Sequence, residues 1–125
     1  MTSSRELAIA AARAAAAKNA RDILILDVSE LIVITDYFVI ASGGSDRQVK
    51  TVAEEIERSV ASLGLKPVRR EGEREGHWVL LDFVDFVAHV FRDQEREYYG
   101  LERLWRDAPT VVWEQGDEAG RASER

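Results

Sequence analysis

Polar and apolar positions change their period several times along this chain, and each change marks an element. Leu7 to Ala20 is alanine-rich, with Ser3 or Ser4 ahead of it as an N-cap. This predicts a helix to about Ala20, with Glu6 in its first turn and Lys18 and Arg21 near its end, as the dipole favours. Its alanine face is narrow, so it can lie close against a sheet or another helix. Ile23 to Val28 is a continuous apolar run and reads as a buried strand. Leu31 to Thr35 reads as a connection or a short strand extension. Tyr37 to Ala41 is too short for a helix and lacks polar alternation, so it predicts a second buried strand. Gly43-Gly44 follows, able to take backbone angles other residues avoid. Ser45 then caps a helix, with Gln48 placed to complete a capping box and Asp46 in the first turn.

The helix from Asp46 to about Leu63 is the strongest periodic signal. Val49, Val52, Ala53, Ile56, Val60 and Leu63 share one face, and Gly64 ends it. A strand at about Val68 to Glu71 and a charged turn at Gly72–Gly76 come next. His77 to Phe83 and Phe86 to Phe91 predict a β-hairpin around Val84-Asp85. Pairing Phe83 with Phe86 sets Trp78 opposite Phe91, Leu80 opposite His89 and Asp82 opposite Val87. Alternation then separates two faces. Val79, Leu81, Phe83, Phe86, Ala88 and Val90 form a wholly apolar face that should pack on the helices. Trp78, Leu80, Asp82, Val87, His89 and Phe91 form the other. Val-Asp suits a two-residue primed turn poorly, so a looser four-residue turn with the same register is the alternative. Arg92 to Asp107 reads as a last helix with Tyr98, Leu101, Leu104 and Trp105 as its stripe. Thr110 to Trp113 can add a short extended segment. The expected division is a folded domain over 1–113 and a disordered acidic tail over 114–125.

Composition narrows the function classes. With 125 residues, 46% of them hydrophobic, the chain is long enough for one domain with a real core. No apolar run reaches the length of a membrane span, and no signal-peptide pattern opens the chain. The absence of cysteine excludes disulfides, thiol catalysis and cysteine metal sites, and is compatible with a cytosolic home. A formal net charge of −6 disfavours bare nucleic acid, because phosphate binding is driven by lysine and arginine. The basic residues Lys66, Arg69, Arg70 and Arg74 are interleaved with Glu71, Glu73 and Glu75.

Candidate chemistry is sparse. His77 and His89 lie in no metal-binding spacing, and His89 on a half-exposed strand face reads as a hydrogen-bonded surface histidine. Ser42-Gly43-Gly44-Ser45 is neither a nucleophile elbow nor a P-loop. As a strand–glycine–helix junction it is either an anion site or a plain corner. A nucleotidyltransferase would also need paired carboxylates on a neighbouring strand for magnesium. Val68-Arg69-Arg70-Glu71 offers none, and Asp82 and Asp85 are not spaced for one strand face. Binding is the better class. Trp78, Tyr98, Tyr99 and Trp105 are residues of the kind that make interface hot spots, or else they form a second small core with the last helix.

Several motifs, in order and at matching spacing, carry a family resemblance. They are Asp36-Tyr37-Phe38-Val39-Ile40-Ala41-Ser42-Gly43, Arg47-Gln48-Val49, His77-Trp78-Val79-Leu80-Leu81-Asp82-Phe83, His89-Val90-Phe91 and Tyr99-x-Leu101-Glu102-Arg103-Leu104-Trp105. Over about residues 6–113 the chain resembles the ribosomal silencing factor family, also called Iojap-like or RsfS. The resemblance implies an α/β (α+β) fold: a single mixed β-sheet flanked by helices, of nucleotidyltransferase-like topology. It implies no catalysis, cofactor or metal, and a cytoplasmic protein that is a homodimer when free. It further implies binding to the large ribosomal subunit through ribosomal protein L-fourteen, a block on joining of the small subunit, and repression of translation under nutrient limitation. DNA, membrane and extensive direct RNA contact are not expected. Carried over to the matching positions, the docking surface is expected at Trp78, Leu80, Asp82, His89, Tyr98, Tyr99, Glu102 and Trp105. The alternative is a degenerate or active nucleotidyltransferase-like nucleotide-binding protein.

Overall fold

In the computed structural model, residues 2–114 are described, so the expected tail lies outside the described residues from position 115 on. The elements in order are α1 (Ser4–Ala17), β1 (Arg21–Asp27), β2 (Tyr37–Gly43), α2 (Asp46–Ala61), β3 (Arg69–Glu71), β4 (Trp78–Asp82), β5 (Phe86–Arg92), α3 (Asp93–Tyr99) and α4 (Leu101–Leu104). The strands form one five-stranded sheet in the order β1-β2-β5-β4-β3. The central pair β2–β5 is parallel and the other neighbours are antiparallel, so the sheet is mixed as expected. The hairpin has the expected register: Trp78 opposes Phe91, Leu80 opposes His89 and Asp82 opposes Val87. The stretch after Pro109 is extended too. Leu26 bridges Thr110, and the Val111 N–H donates to the Ile25 carbonyl at 2.9 Å along the outer edge of β1.

Helices α1 and α2 cover one face of the sheet. The apolar hairpin face, Val79, Leu81, Phe83, Phe86, Ala88 and Val90, is buried against them in the larger core. Burial of Val49, Val52, Ile56 and Val60 fixes α2 there, each side chain contributing roughly 1.5–3 kcal/mol. The alanine face of α1 is buried at Ala8, Ala11, Ala12 and Ala15, which lets α1 lie close against α2 and the sheet. A smaller cluster on the opposite face joins Leu26, Val28, Phe38, Ile40, Phe91 and Ala108, with Ile32, Trp78, Leu101 and Trp105 packed around it.

Four local expectations change. Helix α1 stops at Ala17, because Asn19 turns the chain at φ 65; Arg21 therefore opens β1 instead of closing the helix. The capping box is in α1, where Ser3 and Glu6 cap each other's backbone N–H groups. At α2 the Ser45 hydroxyl accepts from the Gln48 N–H at 3.1 Å, but the Gln48 side chain reaches past Ser45. Its Oε1 accepts from the Gly44 N–H at 2.7 Å, and its Nε2 donates to the Lys18 and Asn19 carbonyls at 3.3 and 3.0 Å. Gly43 and Gly44 do not use left-handed backbone angles. A Cβ on Gly43 would crowd Val49 at 3.2 Å, whereas at Gly44 the nearest atom belongs to the movable Arg21 guanidinium.

The third change is the hairpin turn. The Phe83 N–H donates to the Phe86 carbonyl and the Asp85 N–H to the Phe83 carbonyl, both at 2.9 Å. This closes a γ-turn with Val84 at φ 74, an unfavourable angle for a β-branched residue. The fourth is the last helix, which breaks at Gly100. There φ is 55, and a Cβ would lie 2.1 Å from the Arg103 guanidinium. The break splits the predicted stripe: Tyr98 and Leu104 are exposed while Leu101 and Trp105 turn inward.

Gln48 thus ties the start of α2 to the end of α1, and this can be measured. Gln48→Ala removes three hydrogen bonds and is expected to lower the urea unfolding free energy by about 2 kcal/mol. Gln48→Glu keeps an acceptor for Gly44 but sets a carboxylate against two carbonyls, so it should also destabilise. A Gln48→Glu protein as stable as the parent would show that the link to α1 contributes nothing.

Candidate docking site

Strand alternation places Trp78, Leu80, Asp82, Val87, His89 and Phe91 on the sheet face away from α1 and α2. The Trp78 ring stacks on Phe91 with centroids 4.7 Å apart and lies 4.8 Å from Tyr99. Tyr99 in turn meets Tyr98 edge-on at 5.0 Å. On the inner side Phe38 contributes two edge contacts, to His89 at 5.1 Å and to Trp105 at 5.4 Å. One aromatic cluster therefore runs from the core to the solvent. His89 is 6% exposed, Trp78 and Trp105 are half-buried, Tyr99 is 49% exposed and Tyr98 is 80% exposed. The two readings open in the sequence, core and interface, describe opposite ends of this cluster.

His89 is not the surface histidine that the strand pattern suggested, because Phe38, Trp78 and Phe91 close over it. Its Nδ1 accepts the Trp78 indole N–H at 3.2 Å, which fixes the ring orientation of Trp78. The Nε2 is buried, with no hydrogen-bond partner among the described residues. Burial disfavours the charged form and pushes the His89 pKa down to about 4.

The polar candidates are held by partners. Asp82 accepts from the Val84 N–H at 2.9 Å and lies 3.6 Å from the Arg69 guanidinium. Glu102 accepts from Arg96 at 3.0 Å. Leu80 is half-buried on the strand. Sequence reading missed Arg96, whose side chain is only 10% exposed. It donates to Glu102 and, at 2.7 Å, to the Ser42 hydroxyl, so it locks α3 and α4 to the end of β2. In a run of charges such as Asp93-Gln94-Glu95-Arg96-Glu97 nothing marks one arginine as buried. Further ties hold α3 from below: Arg21 pairs with Asp93, and Arg92 donates to Asp46 at 2.9 Å. Phe38 was legible in principle, since β2 must alternate beside β5.

The glycine corner is filled by its own chain. The Gly44 and Gln48 N–H groups, which would face an anion, already donate to Gln48 Oε1 and Ser45 Oγ. Among the described residues, no three His, Cys, Asp or Glu side chains are grouped to hold a metal ion.

The fold and this site define a small mixed-sheet α+β protein whose distinguishing surface is a graded aromatic patch at the sheet face under a broken terminal helix. The chain belongs to the RsfS family: the family model described as "Ribosomal silencing factor during starvation" matches residues 1–125. Ribosomal silencing factor RsfS of Bacillus subtilis is 46% identical over 99 residues, covering 79% of this chain and 84% of that protein. A mouse protein named "Mitochondrial assembly of ribosomal large subunit protein 1" is 35% identical over 91 residues, covering 70% of this chain and 40% of its own length. A crystal structure of a Chromobacterium violaceum protein superposes with a TM-score of 0.80 at 35% identity, covering 82% of this chain and 86% of that one.

His89 makes stability depend on pH. The folded pKa lies below the ordinary value of 6.5, so the unfolded chain takes up the proton first. Stability is therefore full above about pH 6.5 and is lost as pH falls towards 4, by on the order of 3 kcal/mol. Urea unfolding at pH 7.5 and 5.0 measures this. His89→Gln, which keeps an acceptor for the indole, should shrink the difference; an unchanged difference would assign the acid sensitivity to other groups.

Proposed function

We propose that this protein is a ribosomal silencing factor that binds the large ribosomal subunit through ribosomal protein L-fourteen. By occupying the face where the small subunit docks, it blocks subunit joining and represses translation under nutrient limitation. The observation that carries the reading is the exposed end of the aromatic cluster. Tyr98 and Tyr99 stand in solvent on a helix pinned by Arg96, Arg92 and Arg21, with Trp78 locked behind them by His89. Large aromatic rings held rigid at a surface bind a protein partner at little entropic cost. Family membership supplies the ribosome as the setting, and an acidic protein suits a basic ribosomal protein better than rRNA.

The direct contacts in this reading are Tyr98, Tyr99, Trp78, Trp105 and Leu80. Asp82 and Glu102 support this surface through their partners, Arg69 and the Val84 N–H for Asp82 and Arg96 for Glu102. His89 acts through Trp78. The free protein is a cytoplasmic homodimer, and its self-association uses a surface that ribosome binding can compete for. No helix among the described residues is long and apolar enough to cross a membrane. Neither catalysis nor a cofactor is part of the mechanism; the effect is steric.

Sedimentation with separated ribosomal subunits tests this. The wild type should co-migrate with large subunits and reduce the joined fraction. Tyr99→Ala removes a half-exposed ring without opening the core, so it should weaken binding about tenfold or more with little change in melting temperature. Absence of co-migration by the wild type, together with a rise in melting temperature on adding ATP and magnesium, would instead favour nucleotide binding.

A further inference from the structure

The end of the sheet opposite the glycine corner carries a second apolar surface that folding does not explain. In the loop between β1 and β2, Val33 is 99% exposed and Ile34 is 79% exposed. The Asp36 N–H donates to the Asp85 carbonyl at 3.0 Å, so this loop lies beside the β4–β5 turn. Val84 forms the tip of that turn, 52% exposed and at φ 74. Beyond it, the Val68 N–H donates to the Asp82 carbonyl at 2.8 Å, and Val68 is 68% exposed. None of these four aliphatic side chains belongs to either buried cluster. A β-branched residue held at positive φ is strained, and Val84 belongs to neither buried cluster. Glu30 and Asp85 are exposed beside this surface, and neither carboxylate has an ion-pair partner among the described residues.

We propose that this end of the sheet is an additional interaction surface for a lysine- or arginine-bearing protein segment of the large subunit that also carries an aliphatic side chain. The proposal rests on the ribosome-binding reading above and extends it to a second contact. Charge chooses the occupant. A second copy would set Glu30 and Asp85 against a protein of net charge −6. RNA would bring phosphates to the same carboxylates, and these side chains offer no ring on which a base can stack. A basic protein segment meets both features: its cations face the carboxylates and its aliphatic group covers the valines and isoleucine. The surface is also continuous with the aromatic face. Val28 and Ile32 of the same loop pack into the cluster beneath it, so the two contacts have a fixed relative position.

The test compares large-subunit binding by wild type, Val33→Ser/Ile34→Ser, Val84→Gly and Tyr99→Ala, with unfolding curves for each. The loop double variant should bind about tenfold more weakly with an unchanged unfolding midpoint, because it removes exposed side chains only. Val84→Gly relieves the turn, so it should raise the unfolding midpoint while weakening binding. Glu30→Lys/Asp85→Lys should weaken binding further at low salt than at high salt. If the loop double variant and Val84→Gly bind within about twofold of wild type while Tyr99→Ala is impaired, the proposal is overturned and the aromatic docking reading stands. A wild type that does not bind large subunits overturns both. Loss of self-association with intact subunit binding would assign the surface to a second copy, and competition by protein-free rRNA would assign it to RNA; either result overturns the proposal.

Discussion

The parallel pairing of β2 with β5 is the constraint on which the rest of the molecule depends. Parallel neighbours cannot be joined by a tight turn, so the chain must leave β2, cross one face and return. Helix α2 carries the chain back over that face, and the antiparallel pairs β3–β4 and β4–β5 then set β5 beside β2. Pairing of Tyr37 with Phe86 through Gly43 with Arg92 then fixes both ends of the sheet at once. One end becomes the glycine corner beneath α3, and the other gathers the loops after β1 and β4. Because β2 and β5 are central, both of their faces must be covered, and the two core clusters follow.

The second cluster explains how a small sheet face serves structure and recognition together. Its inner rings, Phe38, His89 and Phe91, are buried, and Trp78 and Trp105 form the boundary. Beyond them Tyr99 and Tyr98 extend the cluster into solvent. A single hydrogen bond from the Trp78 indole to His89 sets the boundary ring, and its strength depends on the imidazole staying neutral. The helical side is held by charge: Arg96 to Ser42 and Glu102, Arg92 to Asp46, and Arg21 to Asp93. Ser42 therefore contributes to the aromatic surface from the end of β2, just before the glycine turn. The corner's function is to give α3 a place to attach.

Local cues carry weight where the chain's own pattern is strong. The five-strand order was not readable from any one segment, but the hairpin register was, because alternation allows one pairing that buries Val79, Leu81, Phe83, Phe86, Ala88 and Val90 together. Helix α2 was readable for the same reason: its apolar stripe has only one face to offer. The family motifs were readable as motifs, and the family match agrees with them.

What the sequence by itself determined is therefore the existence of each strand and of the long helices, the hairpin register, the apolar face that packs inward and the family to which the chain belongs. The tertiary structure alone decided the rest. It buried His89 by bringing Phe38 from β2 across it, and it broke the last helix at Gly100, whose left-handed backbone leaves room for the Arg103 guanidinium. It turned Gln48 from a capping residue into a bridge, since the end of α1 arrives within reach of its amide. It also made Arg96 structural and left Tyr98 exposed. The physical reason is common to all five. Periodicity records which side chains avoid water within one segment, whereas the partner of a polar or aromatic side chain depends on which distant segment lands beside it.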